Sequence, residues 1–126
     1  MTTKNRSTGD FGEAIAAKYM INKGYEFIER NFHAQGGEID LIFKKPNSEF
    51  YIFVEVKTRS NDKYGDPKEF VDRNKLQKIL NAGYDYFIKK LKLKTPKYSR
   101  VDGVFVRLNK GKAYCEHIEN IGFSDF

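Results

Sequence analysis

Two apolar stretches of the sequence carry charged residues in their interiors, and this feature constrains the fold more than any other. The first, residues 38–43, has the sequence EIDLIF and contains Asp40. The second, residues 51–58, has the sequence YIFVEVKT and contains Glu55 and Lys57. Ionised side chains are costly to remove from water, so buried strands carry them mainly where they are paired or bind a metal. We therefore interpret these residues as a candidate site built on two strands.

The alternation of side chains along a strand predicts which charged residues meet. Successive side chains point to opposite faces, so Glu38 and Asp40 are expected to share one face of their strand. By the same argument Glu55 and Lys57 share one face of the next strand. A simpler explanation stays open for each pair. Glu55 and Lys57 could form a salt bridge on a solvated face, and Glu38 could be the charge of an edge strand.

The composition predicts one domain, residues 1–126, with residues 1–7 flexible. The chain has 126 residues and includes 11 Phe and 8 Tyr, which can supply a packed core. No apolar stretch approaches the roughly 20 residues of a membrane helix, and the start of the chain lacks the apolar region of a signal peptide. The single cysteine, Cys115, suits a reducing compartment, and we expect a cytoplasmic protein without membrane contact.

The residue types that could bind a metal indicate which class of metal ion to expect. One cysteine and two histidines, His33 and His117, do not make a zinc-finger ligand set. Any metal bound here is therefore expected to be a hard cation held by carboxylates.

The charge of the chain favours a polyanionic partner. The formal net charge is +6, and lysines and arginines are concentrated between residues 89 and 100. Lysines attract phosphates, and embedded acids can recruit a cation, so nucleic acid fits this pattern. A lysine-rich solvated face explains the charge equally well.

Periodicity and turn signals predict the order α-β-β-β-α-β with one extra C-terminal strand. Asp10 is expected to cap the first helix in a capping box with Glu13, and Gly24 to end it. The second helix carries an apolar stripe that predicts burial of Tyr84 and Phe87. The predicted bounds are helices at 10–22 and 72–90 and strands at 25–31, 38–44, 50–58, 100–108 and 112–118.

The motifs in this element order resemble the PD-(D/E)xK, or restriction-endonuclease-like, superfamily. Asp40 matches the first acid of the motif and Glu55-Val56-Lys57 its E-x-K triplet, while Ile39 stands where the motif name has proline. Gly12-Glu13 and the strings GGEIDLI and VEVKTR resemble the YraN family, which is similar to archaeal Holliday-junction resolvases. The resemblance implies a three-layer α/β fold, with a mixed sheet flanked by helices.

The resemblance also implies an activity. We expect a Mg²⁺- or Mn²⁺-dependent endonuclease that hydrolyses DNA, more readily than RNA, on branched or damaged substrates in repair or recombination. The residues expected at the catalytic site are Asp40, Glu55, Lys57 and Glu13, with Asp40, Glu55 and the Val56 carbonyl at the metal. Physical chemistry agrees, because Mg²⁺ takes one or two carboxylates and a nearby lysine can stabilise phosphoryl charge. A homodimer is suggested, since two symmetric nicks need two sites.

Basic residues are expected to bind the nucleic acid through its phosphates. Arg59, Lys63 and Lys44 are the candidates close to the site in sequence, and the lysines between residues 89 and 97 extend the surface. His33 and Gln35 could touch substrate, although a polar turn explains them as well. Asp102 matches a recurrent acid of the family, and it could equally pair with a nearby base.

Two other functions stay open. A nucleic-acid-binding module could keep the fold without cleaving, although retired sites tend to lose charges that are costly to bury. An interaction or scaffold protein could use the basic helix for another partner. Salt-dependent DNA binding separates the scaffold from the other two, and cleavage with Mg²⁺ or Mn²⁺ separates the nuclease from the binding module.

Overall fold

The computed structural model describes residues 3–60 and 71–121, with side chains described from Gly9 onward. The predicted order of elements is confirmed, and α2 continues into a π-helical segment, Tyr86–Lys90. The elements are α1 Thr3–Asn22, β1 Glu26–Ala34, β2 Gly37–Lys44, β3 Tyr51–Arg59, α2 Arg73–Asp85, β4 Ser99–Asn109 and β5 Lys112–Ile118.

The five strands form one mixed sheet in the order β1-β2-β3-β4-β5. The pairs β1–β2, β2–β3 and β4–β5 are antiparallel, whereas β3 and β4 are parallel and are connected through α2. A parallel pair needs such a crossover because its second strand must start again at the same end of the sheet. The predicted α/β fold class is therefore confirmed.

Each face of the sheet has its own hydrophobic core, which gives three layers. On one face α1 buries Ala16 and Met20 against β2, β3 and β4. On the other face α2 and the π-helical segment bury Ile79, Tyr86 and Phe87 against the sheet. Sheet residues on the α1 face include Leu41, Phe43, Ile52, Val54, Val104 and Val106, and those on the α2 face include Ile39, Ile42, Tyr51, Phe53 and Val101.

The predicted stripe of α2 is only partly buried. Phe87 is buried as expected, but Tyr84 is 55% exposed and Leu80 is 43% exposed, so the prediction for Tyr84 is wrong. The two exposed residues are four positions apart and therefore lie one above the other on the flank of the helix. The apolar stripe is wider than the strip of helix that contacts the sheet.

The start of α1 also differs from the prediction. The helix begins at Thr3 and not at Asp10; the flexibility of residues 1–7 stays a prediction, and Met1 and Thr2 lie outside the described residues. Asp10 lies inside α1 and cannot be its N-cap, because a cap residue needs a non-helical backbone. No proline precedes Asp10, so nothing in the sequence prevents the helix from extending upstream. The other end is as predicted, since Gly24 has the left-handed φ of 102° of a helix terminator.

An irregularity in β1 and β2 positions the candidate site. Ile39 packs on the α2 face and Leu41 on the α1 face, although residues two apart normally share a face. The reversal centres on Asp40, and its neighbour in β1, Asn31, has a left-handed φ of 56°. Because of this reversal, alternation does not place Glu38 and Asp40 on the same face of β2.

The described helices do not combine the length and apolar character needed to span a bilayer. The prediction of one domain over residues 1–126 stays a prediction, since residues 61–70 and both ends lie outside the described part.

Candidate metal and catalytic site

Asp40 lies where β2 and β3 separate. The regular pairing of these strands ends at Leu41 and Val54, and beyond it the Asp40 carboxylate accepts a hydrogen bond from the Val56 N–H at 2.8 Å. The Asp40 side chain thus accepts the hydrogen bond that a backbone carbonyl of β2 would accept in regular pairing, and it lies beside β3. In a β-strand the N–H and C=O of one residue point to the same side, so the Val56 carbonyl faces β2 as well. The Val56 carbonyl is therefore on the side of β3 where Asp40 lies, and its role at a metal stays a prediction.

Glu55 is a buried carboxylate whose hydrogen bonding is incomplete. It is 7% exposed and points to the α2 face, where its Oε2 lies 3.5 Å from Lys75 Nζ. Its Oε1 atom is buried and accepts no hydrogen bond from a donor in the described part of the chain, and the group beside Glu55 is the Asp40 carboxyl, with which it can share a proton. An unpartnered buried carboxylate oxygen is costly, so some other group is expected to complete this site.

The two carboxyl groups disturb each other's ionisation. Burial raises the pKa of Glu55 to about 8, with a further increase from the neighbouring Asp40 and a partial offset from Lys75. Burial also raises the pKa of Asp40, although the hydrogen bond from Val56 opposes the increase. Two carboxylates this close either share a proton or bind a cation.

These observations fit a divalent cation held by oxygen atoms. No group of three or more acidic, histidine or cysteine side chains gathers as a metal site among residues 9–60 and 71–121. A site of two carboxylates agrees with Mg²⁺ or Mn²⁺ all the same, because Mg²⁺ keeps most of its waters and takes only one or two carboxylates. Asp40, Glu55 and the Val56 carbonyl could supply such a donor set, with the Glu55 Oε1 atom as one of its ligands.

Glu13 approaches the same point from the other layer. α1 comes close to β3 because residue 12 is glycine: a Cβ there would lie 1.9 Å from Thr58 Oγ1. Glu13 then accepts a hydrogen bond from Arg30 Nε at 3.2 Å. Burial and the nearby Asp40 raise the pKa of Glu13, and Arg30 opposes this increase. The structure therefore brings Glu13 to Asp40 from α1, in an ion pair with Arg30 and not in a capping box.

Lys57 lies two residues beyond Glu55 and is half-buried. β3 keeps regular alternation here, as Phe53 packs on the α2 face and Val54 on the α1 face, so Glu55 and Lys57 share the α2 face. Glu55 forms its ion pair with Lys75, which removes the simpler explanation of a Glu55–Lys57 bridge on a solvated face.

Lys75 is a site residue that the sequence did not single out. It sits in the first turn of α2, whose start is fixed by Asp72: the Asp72 carboxylate accepts a hydrogen bond from the Lys75 N–H at 2.8 Å. The capping signal at Asp72 was visible in the sequence, but which residue of the first turn faces Glu55 depends on how α2 packs on the sheet. The sequence pattern carries no such information.

The predicted nucleic-acid contacts divide between the two ends of the sheet. Arg59 ends β3 and is near Lys57, whereas Lys44 pairs with Tyr51 at the opposite end of β2. Lys44 was wrongly expected near the site, because four residues of strand span about 13 Å. Lys63 lies outside the described residues.

The other basic and polar candidates are also located. Lys89 and Lys90 follow α2 at the end remote from the site and pair with Asp85 and Glu29. Lys92, Lys94 and Lys97 precede β4 at that same end, since Ser99 pairs with Tyr51. Glu38 pairs with His33 at 3.3 Å on the hairpin that leads to Asp40. Before Leu41, β2 pairs with β1 alone, so the explanation of the exposed Glu38 as an edge-strand charge stays open.

Asp102 belongs to a separate cluster on the α1 face. It accepts hydrogen bonds from Arg100 Nε at 2.9 Å and from the Asn120 N–H at 2.9 Å, and its Oδ2 lies 2.7 Å from His117 Nε2. The alternative in which Asp102 pairs with a nearby base is therefore confirmed. The pKa of Asp102 is lowered, because these hydrogen bonds outweigh the opposing effect of burial.

The architecture and the carboxylate pair at the separation of two strands define the class of the protein: an α/β protein of the restriction-endonuclease-like fold. The sequence profile described as "Uncharacterised protein family UPF0102" matches residues 12–106. A UPF0102 protein of Clostridium botulinum strain 657 is 45% identical over 105 residues, which cover 83% of each chain. One of Syntrophomonas wolfei is 39% identical over 116 residues, which cover 92% of this chain and 97% of the relative. The chain belongs to the UPF0102 (YraN) family.

Proposed function

We propose that the protein is a divalent-metal-dependent endonuclease that hydrolyses phosphodiester bonds in DNA. The observation that carries the proposal is the buried Glu55 carboxylate, which has a pKa of about 8, an unpartnered Oε1 and Asp40 beside it. Such an arrangement is unfavourable by itself and is relieved by a cation. Perturbed carboxyl groups of this kind are concentrated at functional sites.

Each site residue would have a distinct role in the reaction. Asp40, Glu55 and the Val56 carbonyl would hold Mg²⁺ or Mn²⁺, which polarises a phosphate and lowers the pKa of an attacking water. Lys57, on the same face as Glu55, stabilises the negative charge that develops on the phosphoryl oxygens. Glu13 has a raised pKa and approaches from α1, so it can position a water or accept its proton.

The substrate class follows from the charge of the chain. The chain as a whole has a net charge of +6, which suits a polyanion, and Arg59 lies at the same end of the sheet as Lys57. We propose DNA in preference to RNA, on branched or damaged structures, and an assembly of two copies that makes paired cuts. The proposed substrate implies a cytoplasmic location.

The test is a cleavage panel with duplex, single-stranded, flap and four-way-junction DNA, each in Mg²⁺ and in Mn²⁺. We expect cleavage of at least one substrate by the wild type and loss of cleavage in Asp40→Asn and Glu55→Gln. Glu49→Gln is the matched control, because Glu49 is an exposed carboxylate in the β2–β3 turn, and it should cleave as the wild type does.

Calorimetry measures metal binding independently of DNA cleavage. Mn²⁺ should bind the wild type and Glu49→Gln, and each of the two site substitutions should abolish that binding. Unchanged Mn²⁺ binding in both site variants would remove the metal site. Salt-dependent DNA binding without cleavage in either metal would leave a nucleic-acid-binding module in place of the nuclease.

A further inference from the structure

A polar cleft opens beside the candidate site, between the β1–β2 turn and α2. Its volume is about 480 Å³, and Lys75, the partner of Glu55, forms part of its wall. Lys75 therefore connects the wall of the cleft to Glu55. The lining residues that matter are His33, Gly36, Gly37, Glu38, Lys75 and Lys78.

The cleft is held in shape by backbone contact. A Cβ at Gly37 would lie 2.4 Å from the Lys78 carbonyl oxygen, so the turn and α2 approach as closely as glycine permits. Lys75 and Lys78 are three residues apart and lie on the same side of the helix, which directs both towards the turn. Both lysines thus line this polar cleft.

The charge of the cleft suits a phosphate. Lys75 and Lys78 contribute two positive charges, of which that of Lys75 also faces Glu55, and the acid in the lining, Glu38, lies 3.3 Å from His33, which offsets its charge only when protonated. We propose that this cleft binds a phosphodiester group of the nucleic-acid backbone next to the one that is cleaved, with Lys78 as its direct contact. This inference rests on the proposed function, because the cleft has meaning as a subsite only beside a site that acts on nucleic acid.

Lys75 connects the subsite to the metal site. Its ammonium group lies 3.5 Å from Glu55 Oε2, where it offsets part of the buried negative charge. A cation bound to Asp40 and Glu55 supplies that charge instead, and Lys75 then becomes available to a phosphate in the cleft. By linkage, each ligand strengthens the binding of the other.

The probe is the dinucleotide TpT, which carries one phosphodiester, titrated into the full chain with Ca²⁺ present and followed by amide chemical shifts. We expect shifts at Gly36, Gly37 and Lys78, and a TpT affinity about fivefold lower in Lys78→Ala, the loss of one charge-assisted contact. Lys94→Ala is the matched control, as Lys94 is an exposed lysine at the opposite end of the sheet, and it should not change the affinity. Equal losses in both variants, or shifts confined to other regions, would overturn the subsite.

Two comparisons sharpen the result. Omitting Ca²⁺ should weaken TpT binding in the wild type but not in Lys75→Ala, and the same Ca²⁺ dependence in both proteins would contradict the linkage. Inorganic phosphate should bind more weakly than TpT at these amides; tighter binding of inorganic phosphate would make the cleft a free-phosphate site and overturn the assignment to nucleic acid.

The subsite and the nuclease can fail separately. TpT binding at the cleft in a protein that cleaves no DNA would remove the proposed nuclease and support a nucleic-acid subsite. The opposite result is also possible. If the wild type cleaves DNA and Lys78→Ala binds TpT and cleaves equally well, the subsite is overturned and the proposed nuclease stands.

Discussion

The sheet contains two buried acidic centres, and they differ in how their oxygen atoms are used. Asp102 is fully buried and receives hydrogen bonds from Arg100 and from the Asn120 N–H, with His117 Nε2 also within 2.7 Å. Glu55 is almost as buried, but one of its oxygens has no partner in the described part of the chain. One centre is saturated with donors and the other is not.

The pKa shifts of the two centres have opposite signs for this reason. Burial opposes ionisation in both, but at Asp102 the donors outweigh it and lower the pKa, whereas the pKa of Glu55 rises to about 8. A carboxylate that is complete within the fold stabilises the fold. A carboxylate that is left incomplete lowers stability and is retained where a ligand completes it.

The largest expected effect is on stability, at Asp102. Asp102→Ala should lower the free energy of unfolding by about 3–5 kcal/mol, because it leaves Arg100 and His117 buried without their acceptor. Urea denaturation measures the loss. The matched control is Glu119→Ala, which removes the exposed acid 3.8 Å from the same arginine and should cost less than about 1 kcal/mol. Similar losses in both variants would show that the buried cluster is not what stabilises this region.

The next effect is on catalysis and concerns Lys57. Lys57→Ala should reduce the rate of DNA cleavage by about 10²-fold, since the lysine stabilises charge that is present mainly in the transition state. Single-turnover cleavage measures the rate, and binding in Ca²⁺ should be nearly unchanged. Lys44→Ala at the far end of β2 is the control and should cleave normally. A Lys57→Ala protein that cleaves at the wild-type rate would limit Lys57 to a structural role.

The third effect is on the pH dependence of the free energy of unfolding and concerns Glu55. Its folded-state pKa of about 8 exceeds its ordinary value of 4.5, so the folded protein binds a proton that the unfolded chain does not. The resulting stability is present at low pH and is lost as the pH rises from about 4.5 towards 8. Without metal, Glu55→Gln should therefore gain stability over the wild type as the pH rises from 5 to 8, by at most about 1.4 kcal/mol for each pH unit.

Thermal unfolding at both pH values in a chelating buffer measures this gain. Glu49→Gln, an exposed acid, should show no such pH dependence. A Glu55→Gln variant whose stability relative to the wild type is the same at pH 5 and pH 8 would mean that Glu55 is not strained, and the contrast with Asp102 would disappear.

The elements and the acids of the site were predictable because local patterns encode them. Alternating and helical periodicity gave the order of the elements, and charges within apolar strands drew attention to Asp40 and Glu55. The reversal of β2 at Asp40 was not predictable, since it depends on a left-handed backbone at Asn31 in the neighbouring strand. Lys75 and Tyr84 were also missed, because how α2 packs on the sheet decides which side chains meet the site and which remain exposed.

The smallest expected effect tests whether nucleic acid binds at the end of the unsaturated centre. Arg59 ends β3 beyond Lys57, whereas Lys94 precedes β4 at the other end of the sheet, where Ser99 pairs with Tyr51. Arg59→Ala should lose one phosphate contact, which lowers the slope of log affinity against log salt by about 0.9 on duplex DNA. Lys94→Ala should leave the slope unchanged. The measurement is the affinity of both variants across a salt series in Ca²⁺. A lower slope in Lys94→Ala and not in Arg59→Ala would move the DNA to the opposite end of the sheet, and Asp40 and Glu55 would no longer face the substrate.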